Sequence, residues 1–124
     1  MFKIEAKKGE NCLTISYSGA IKAEEVRSCA TAVELRLSEL EPGFRLLTDL
    51  TELESMEVNS VPHIRRMMDL CNKRGVALVV RVIPDSQKDI GLNIMSLFHY
   101  SRRVRIVTCK TLKEAERELL AAPN

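Results

Sequence analysis

Tryptophan is absent from these 124 residues, and three Phe and two Tyr make up the rest of the aromatic complement. Surfaces for single-stranded nucleic acid stack successive bases on aromatic rings, so the chain is poorly supplied for that role. One-sided charge is missing too. The 19 basic and 17 acidic residues are mixed along the chain for a net charge of +2, which leaves no long-range field to select duplex nucleic acid or an anionic membrane. The densest basic group, Arg102, Arg103, Arg105 and Lys110, reads as a solvated edge. No run approaches the ~20 apolar residues of a membrane span, and the opening MFKIEAKKGEN lacks the apolar core of a signal peptide. Cys12, Cys29, Cys71 and Cys109 form no C-x-x-C pair and have no histidine at ligand spacing. Structural thiols in a reducing cytoplasm are expected, with no metal and no cofactor.

Catalytic signatures are equally scarce. The chain has no H-E-x-x-H, no G-x-x-x-x-G-K-[ST] and no G-x-S-x-G. His63 stands beside Arg65 and Arg66, and His99 ends a predicted helix; both read as surface or structural histidines. Glu52, Glu54 and Glu57 alternate along an extended segment that would splay them, without the pattern of a calcium loop. A non-catalytic domain is the expectation.

What remains is a globular composition, 45% hydrophobic and 29% charged, long enough for one domain spanning residues 1–124. Alternation over Phe2 to Ala6 and Leu13 to Tyr17 predicts an amino-terminal hairpin with Gly9 in its turn. Val26, Cys29, Ala30, Val33, Leu37 and Leu40 keep the helical period, predicting a helix from about Lys22 to Leu40. Arg45 to Leu50 reads as a strand, Glu52 to Ser60 as a polar loop, and Ser60 to Lys73 as a helix. That helix is expected to be capped by Asn59 or Ser60, with Pro62 in its first turn and Gly75 as its stop. The apolar run Val76 to Ile83 predicts an interior parallel strand, and Ile90, Ile94, Leu97 and Phe98 a third helix. Val104 to Val107 reads as a last strand, and Thr111 and Glu114 have the spacing of a capping box for a final helix to Leu120.

The sum is an α/β fold: one mostly parallel five-stranded sheet with an amino-terminal antiparallel hairpin and four helices. Open α/β sheets hold ligands at the carboxyl ends of their strands, where helix N–H groups are free. Asp49, the Ser55 to Ser60 segment, Asp85, Ser86, Lys110 and Thr111 are therefore expected as neighbours. Asp49, Asp85, Ser86, Lys110 and Thr111 would form a ligand or anion rim.

The segment D-L-T-E-L-E-S-M-E-V-N-S-V, beginning at Asp49, resembles the STAS domain family of bacterial anti-sigma factor antagonists. Members share a D-L-S-x-V-x-F-I-D-S-S-G-L pattern, whose second serine in D-S-S-G is phosphorylated by a partner kinase. Asp49, Leu50 and Thr51 match its opening, Leu53 its apolar position and Met56 its isoleucine. Glu57 then stands for the aspartate, Val58 for the first serine, Asn59 for the phosphoacceptor and Ser60 for the glycine. The resemblance implies a STAS-like regulatory domain that binds a protein partner, a regulator or kinase of the anti-sigma type, without the usual phosphoserine switch. Its expected contacts are Ser55, Met56, Glu57, Val58, Asn59, Ser60, Val61, Arg65 and Arg66. Reversing Arg66 to Glu is expected to weaken that binding without lowering the melting temperature.

A divergent branch of the same architecture resembles lipid carriers, which implies a second reading. Met56, Met67, Met68, Met95 and Phe98 would suit an apolar molecule held between the sheet and the second and third helices. Pairing of an edge strand or a helix face into a homodimer is a further expectation.

Overall fold

Apolar side chains at every second position give each of the first two strands one buried face. Strand β1 (Phe2–Lys7) runs antiparallel to β2 (Cys12–Ile21) with Ile4 opposite Ile15. Gly9 is in the turn between them, as expected, but the left-handed position is Asn11, with φ 49°. Asparagine serves there because its amide is used twice: Nδ2 donates to Glu41 O at 3.2 Å, and Oδ1 accepts from Glu41 N at 2.8 Å. The computed structural model describes residues 1–84, 100–101 and 103–121. The predicted third helix, with Asp85, Ser86, Met95, Phe98 and His99, lies outside the described residues, as does Arg102.

Helix α1 (Ala23–Leu37) buries Val26, Cys29, Ala30, Val33 and Leu37, the expected stripe. It stops three residues early, where Ser38 Oγ donates to Leu35 O and Leu40 tucks under the turn. Helix α2 (Val61–Arg74) ends at Gly75, whose φ of 96° only glycine adopts without strain. A Cβ there would also meet Pro42 Cβ at 3.2 Å.

Parallel pairing then builds the sheet in the order β1-β2-β3-β4-β5, with β3 (Arg45–Met56), β4 (Leu78–Val82) and β5 (Arg105–Cys109). Helices α1 and α2 cover one face over Leu13, Ile15, Tyr17, Leu46, Leu50 and Val79. Helix α3 (Leu112–Ala121) covers the other, where Ala115 meets Leu47, Leu78, Val80, Val82 and Cys109. Every residue of β4 is buried, as an interior parallel strand requires.

The expectation that Glu52 to Ser55 form a loop needs correction. These residues continue β3, paired to β2 through Ser18–Glu52, Gly19–Leu53 and Ala20–Ser55. Two register shifts place an extra β3 residue opposite β2, one between Ser16 and Ser18 and one between Gly19 and Ala20. Each such bulge bends and twists its strand. It also moves the apolar spacing from two to three, so Leu50, Leu53 and Met56 all join the core beneath α1 and α2.

Candidate functional site

The chain leaves β3 at Met56 and enters α2 through a single 3-10 turn, Val58–Ser60. Glu57 fixes this turn. Its N–H donates to Ile21 O at 3.0 Å, and its Oε1 accepts from Ala23 N at 2.7 Å, supplying the start of α1 with an acceptor from across the chain. Glu25 accepts from Lys22 N at 3.3 Å on the same end. Glu57, expected as a partner contact, is thus engaged in holding two elements together.

Ser60 also departs from expectation. It stands at the N-cap position of α2, yet its φ and ψ of −73° and −21° are already helical and its side chain caps nothing. The 3-10 turn does that work instead: Ser60 N donates to Glu57 O at 2.9 Å, Val61 N to Val58 O, and Pro62 has no N–H. Asn59 makes no cap either. Ser60 is 0% exposed, and its Oγ has no hydrogen-bond partner among the described residues. What the turn presents outward is Val58, 84% exposed, with Asn59 and Ser55 beside it. Met56 and Val61 are half-buried, Arg65 is exposed, and Arg66 is paired with Glu34 of α1.

Of the expected neighbours, Asp49, Lys110 and Thr111 come to one sheet edge, Asp85 and Ser86 lie outside the described residues, and the Ser55 to Ser60 segment stands apart. Strands β2 to β5 do end on one edge, and Asp49 pairs with Val82, whose other neighbour is Cys109. Beyond Asp49, however, β3 continues to Met56 against β2 alone. With its two bulges the overhang to Ser55 spans only the four residues of β2 from Ser16 to Ala20, which at about 3.3 Å per residue carries Ser55 roughly 13 Å past the ends of β4 and β5. Asp49 accepts from Thr51 N at 3.0 Å and from the Thr51 hydroxyl. Lys110 and Thr111 start α3: Glu114 N donates to Thr111 Oγ1 at 3.2 Å, and Lys110 N to Glu114 Oε2 at 3.4 Å. Of the basic group, Arg105 is answered by Glu118 at 3.4 Å.

Under the overhang lies a cavity of about 370 Å³ between the sheet and α2. Strands β2 and β3 contribute Ile15, Tyr17, Leu46, Thr48, Leu50 and Leu53; α2 contributes Ile64, Met67, Met68 and Cys71. Val79, Arg81 and Tyr100 complete the buried side, and Glu54, Ser55 and Met56 the side nearest the Val58–Ser60 turn. Met56, Met67 and Met68 therefore line a space, as the second reading expected. Arg81 is a site residue that periodicity does not mark: the run Val76 to Ile83 reads as a buried strand, and the lone charge within it is the only signal. It is 3% exposed.

Burial raises the titration of the described cysteines and of both described tyrosines. Burial pushes the Cys71 thiol up to about 12 and raises Cys29, Cys12 and Cys109. Tyr17 is raised by burial, and its hydroxyl donates to Cys29 Sγ at 3.4 Å. Tyr100 is raised by burial against the opposing charge of Arg81. A nucleophile needs the opposite shift. Among the described residues no three His, Cys, Asp or Glu side chains are placed to hold a metal, and no helix is long and apolar enough to cross a membrane.

No protein-family model and no curated protein sequence matches the chain. Solved structures do. An uncharacterized protein with a SpoIIAA-like fold from Shewanella loihica superposes with a TM-score of 0.71 at 14% identity, covering 96% of this chain and 92% of its own. An anti-sigma factor antagonist from Mycobacterium paratuberculosis gives 0.61 at 15% identity, covering 97% and 95%. The phosphorylated Bacillus cell fate determinant SpoIIAA gives 0.57 at 15% identity, covering 96% and 99%. The element order, the parallel sheet with its antiparallel edge and these superpositions together give the chain the STAS-like, SpoIIAA-like α/β fold.

Proposed function

We propose that this chain is a non-catalytic regulatory domain that docks a protein partner through the turn after β3 and the outer side of α2. The observation that carries the reading is Val58: an apolar side chain 84% exposed on a turn that Glu57 holds rigid. An exposed apolar residue on a fixed turn offers a partner an apolar contact, and Arg65 beside it is of a residue type enriched at interfaces. Likeness to anti-sigma factor antagonists supports a regulator or kinase as the partner. The docking works without a phosphoserine switch, since Asn59 has no hydroxyl to modify and Ser60 is buried.

Val58→Asp combined with Arg65→Glu tests this. Captured from a lysate of the host cell, the wild-type chain is expected to retain a specific protein that the variant loses by at least about tenfold. The melting temperature should stay in place, because both positions are exposed and such substitutions usually cost within about 0.5 kcal/mol. Equal capture by the two chains refutes the surface. Arg66→Glu is the less clean probe, since it would set a second carboxylate against Glu34.

A second reading is favoured by one observation, the cavity beneath the β3 overhang: the domain holds a small apolar ligand against α2. Native mass spectrometry of freshly purified chain separates the two readings. A co-purified small molecule supports carriage, and a bare chain counts against it.

A further inference from the structure

Strand β1 forms one edge of the sheet, and its outer side carries backbone groups that no other described strand takes up. The bonds to β2 show which groups these are. Met1 and Ser18 exchange two hydrogen bonds, Ser18 N donating to Met1 O at 2.8 Å and Met1 N to Ser18 O at 2.9 Å. Antiparallel partners alternate between exchanging two bonds and exchanging none, so Lys3, Glu5 and Lys7 also turn their N–H and C=O toward β2. Phe2, Ile4 and Ala6 turn theirs to the open edge. Side chains alternate with the same period: Phe2, Ile4 and Ala6 are half-buried against the core, and Lys3, Glu5 and Lys7 stand exposed on the other face. Across the ladder Lys3 meets Ser16 and Glu5 meets Thr14, so neither charge faces an opposite one there. Edge strands of monomers are commonly blunted by proline or a bulge, and β1 has neither: its register with β2 runs unbroken from Phe2 to Lys7.

We propose that a second copy of this chain pairs with β1, antiparallel about a two-fold axis at Ile4, and joins the two sheets into one. A two-fold pairing of identical strands must bring core-facing residues onto core-facing residues and outward backbone groups onto each other, which restricts its centre to a residue position. Centres at Ile4 and Glu5 give the longest overlap within Phe2–Lys7. Charge chooses between them. A centre at Glu5 sets Glu5 against its own copy and Lys3 against Lys7, whereas a centre at Ile4 sets Lys3 of each chain opposite Glu5 of the other, twice. The same register brings Ile4 onto Ile4 and Phe2 onto Ala6, the three residues whose backbone groups are open. Two short strands bury less than the ~1,200–2,000 Å² of a stable interface, so the association is weak and concentration-dependent.

Sedimentation velocity of the full chain from about 1 µM to about 1 mM tests the pairing, and the wild-type chain is expected to pass from monomer to dimer within that range. Lys3→Glu and Glu5→Lys, each checked for folding by circular dichroism, should each weaken association at least about tenfold, because two opposite-charge pairs become two like-charge pairs. Mixed in equal amounts, the two variants should recover association to near the wild-type level as a heterodimer. The new carboxylate of one chain then faces the new ammonium of the other, and the remaining pair is a native Glu5 against a native Lys3. A wild-type chain that stays monomeric throughout overturns the proposal. So does a dimer indifferent to both substitutions, or a pair of folded, weakened variants that fails to recover on mixing. None of these outcomes bears on the docking turn or on the cavity.

Discussion

Ser60→Asp is expected to lower the melting temperature by about 10 °C or more, whereas Ser60→Ala leaves it unchanged or raises it slightly. Two effects oppose each other in the first variant. A carboxylate at the amino end of α2 gains at most ~1 kcal/mol from the helix dipole in ordinary settings. Ser60 is 0% exposed, however, and an uncompensated buried charge costs about 3–5 kcal/mol. Burial wins, and the net loss is a large part of the roughly 5–15 kcal/mol that holds a domain together. Helical φ and ψ at Ser60, with Val61 N already bonded to Val58 O, deny the new carboxylate a cap geometry. Ser60→Ala differs because the native hydroxyl has no partner among the described residues, so its removal discards an unmet polar group. pH supplies a signature. The new carboxyl would be buried and its pKa raised above the unfolded value near ~3.9, so the folded state holds the proton longer. Stability relative to wild type then falls as pH rises through that window and recovers toward pH ~4. Thermal melts from pH 4 to 8 read this directly. A Ser60→Asp chain as stable as wild type at pH 7 would mean that Ser60 reaches solvent, and with it that a kinase could reach Ser60.

That outcome matters because the site was only half legible in the residues. The strand-turn-helix unit, the parallel order and the interior strand Val76 to Ile83 all announced themselves through periodicity, which burial alone imposes. The overhang of β3 did not. Leu50, Leu53 and Met56 follow neither the spacing of two that marks a strand nor the 3.6-residue mean of a helix, and Thr51, Glu52, Glu54 and Ser55 between them look like loop chemistry. Only pairing with Ser18 to Ile21, through two bulges, makes that stretch extended structure. A long-range partner decided it, and single-strand patterns carry no record of one.

The same overhang explains why Ser55 to Ser60 stand apart from Asp49, Lys110 and Thr111. Carrying Ser55 roughly 13 Å beyond β4 separates Ser55 to Ser60 from Lys110 and Thr111. Leu53, Glu54, Ser55 and Met56 wall the cavity from the overhang, just before the chain enters the Val58–Ser60 turn. Arg81 is the one charge in β4, and within an apolar run nothing in the sequence marks that it lines that space.

Phe44→Ala is expected to cost about 3–5 kcal/mol, lowering the melting temperature by on the order of 10–20 °C, while leaving partner capture intact at low temperature. Phe44 is the largest side chain among those described with essentially no exposure. It sits where β3 begins, at the amino edge of the sheet, and its carbonyl accepts from Ala77 N at 2.9 Å. Beside it Gly43 N donates to Gly75 O at 2.7 Å, tying the end of α2 to the start of β3. Truncation leaves a void that this clamped backbone cannot close, which places the cost near the top of the range for buried large-to-small changes. Val58 and Arg65 lie at the opposite edge, on a turn fixed by Glu57, Ile21 and Ala23 rather than by Phe44. Under the proposed docking, stability and recognition divide along the strand axis, amino edge against carboxyl edge. Thermal melts with capture assays at a temperature where circular dichroism shows the variant folded decide the point. A melting temperature within a few degrees of wild type, or capture lost by a demonstrably folded Phe44→Ala chain, contradicts the division.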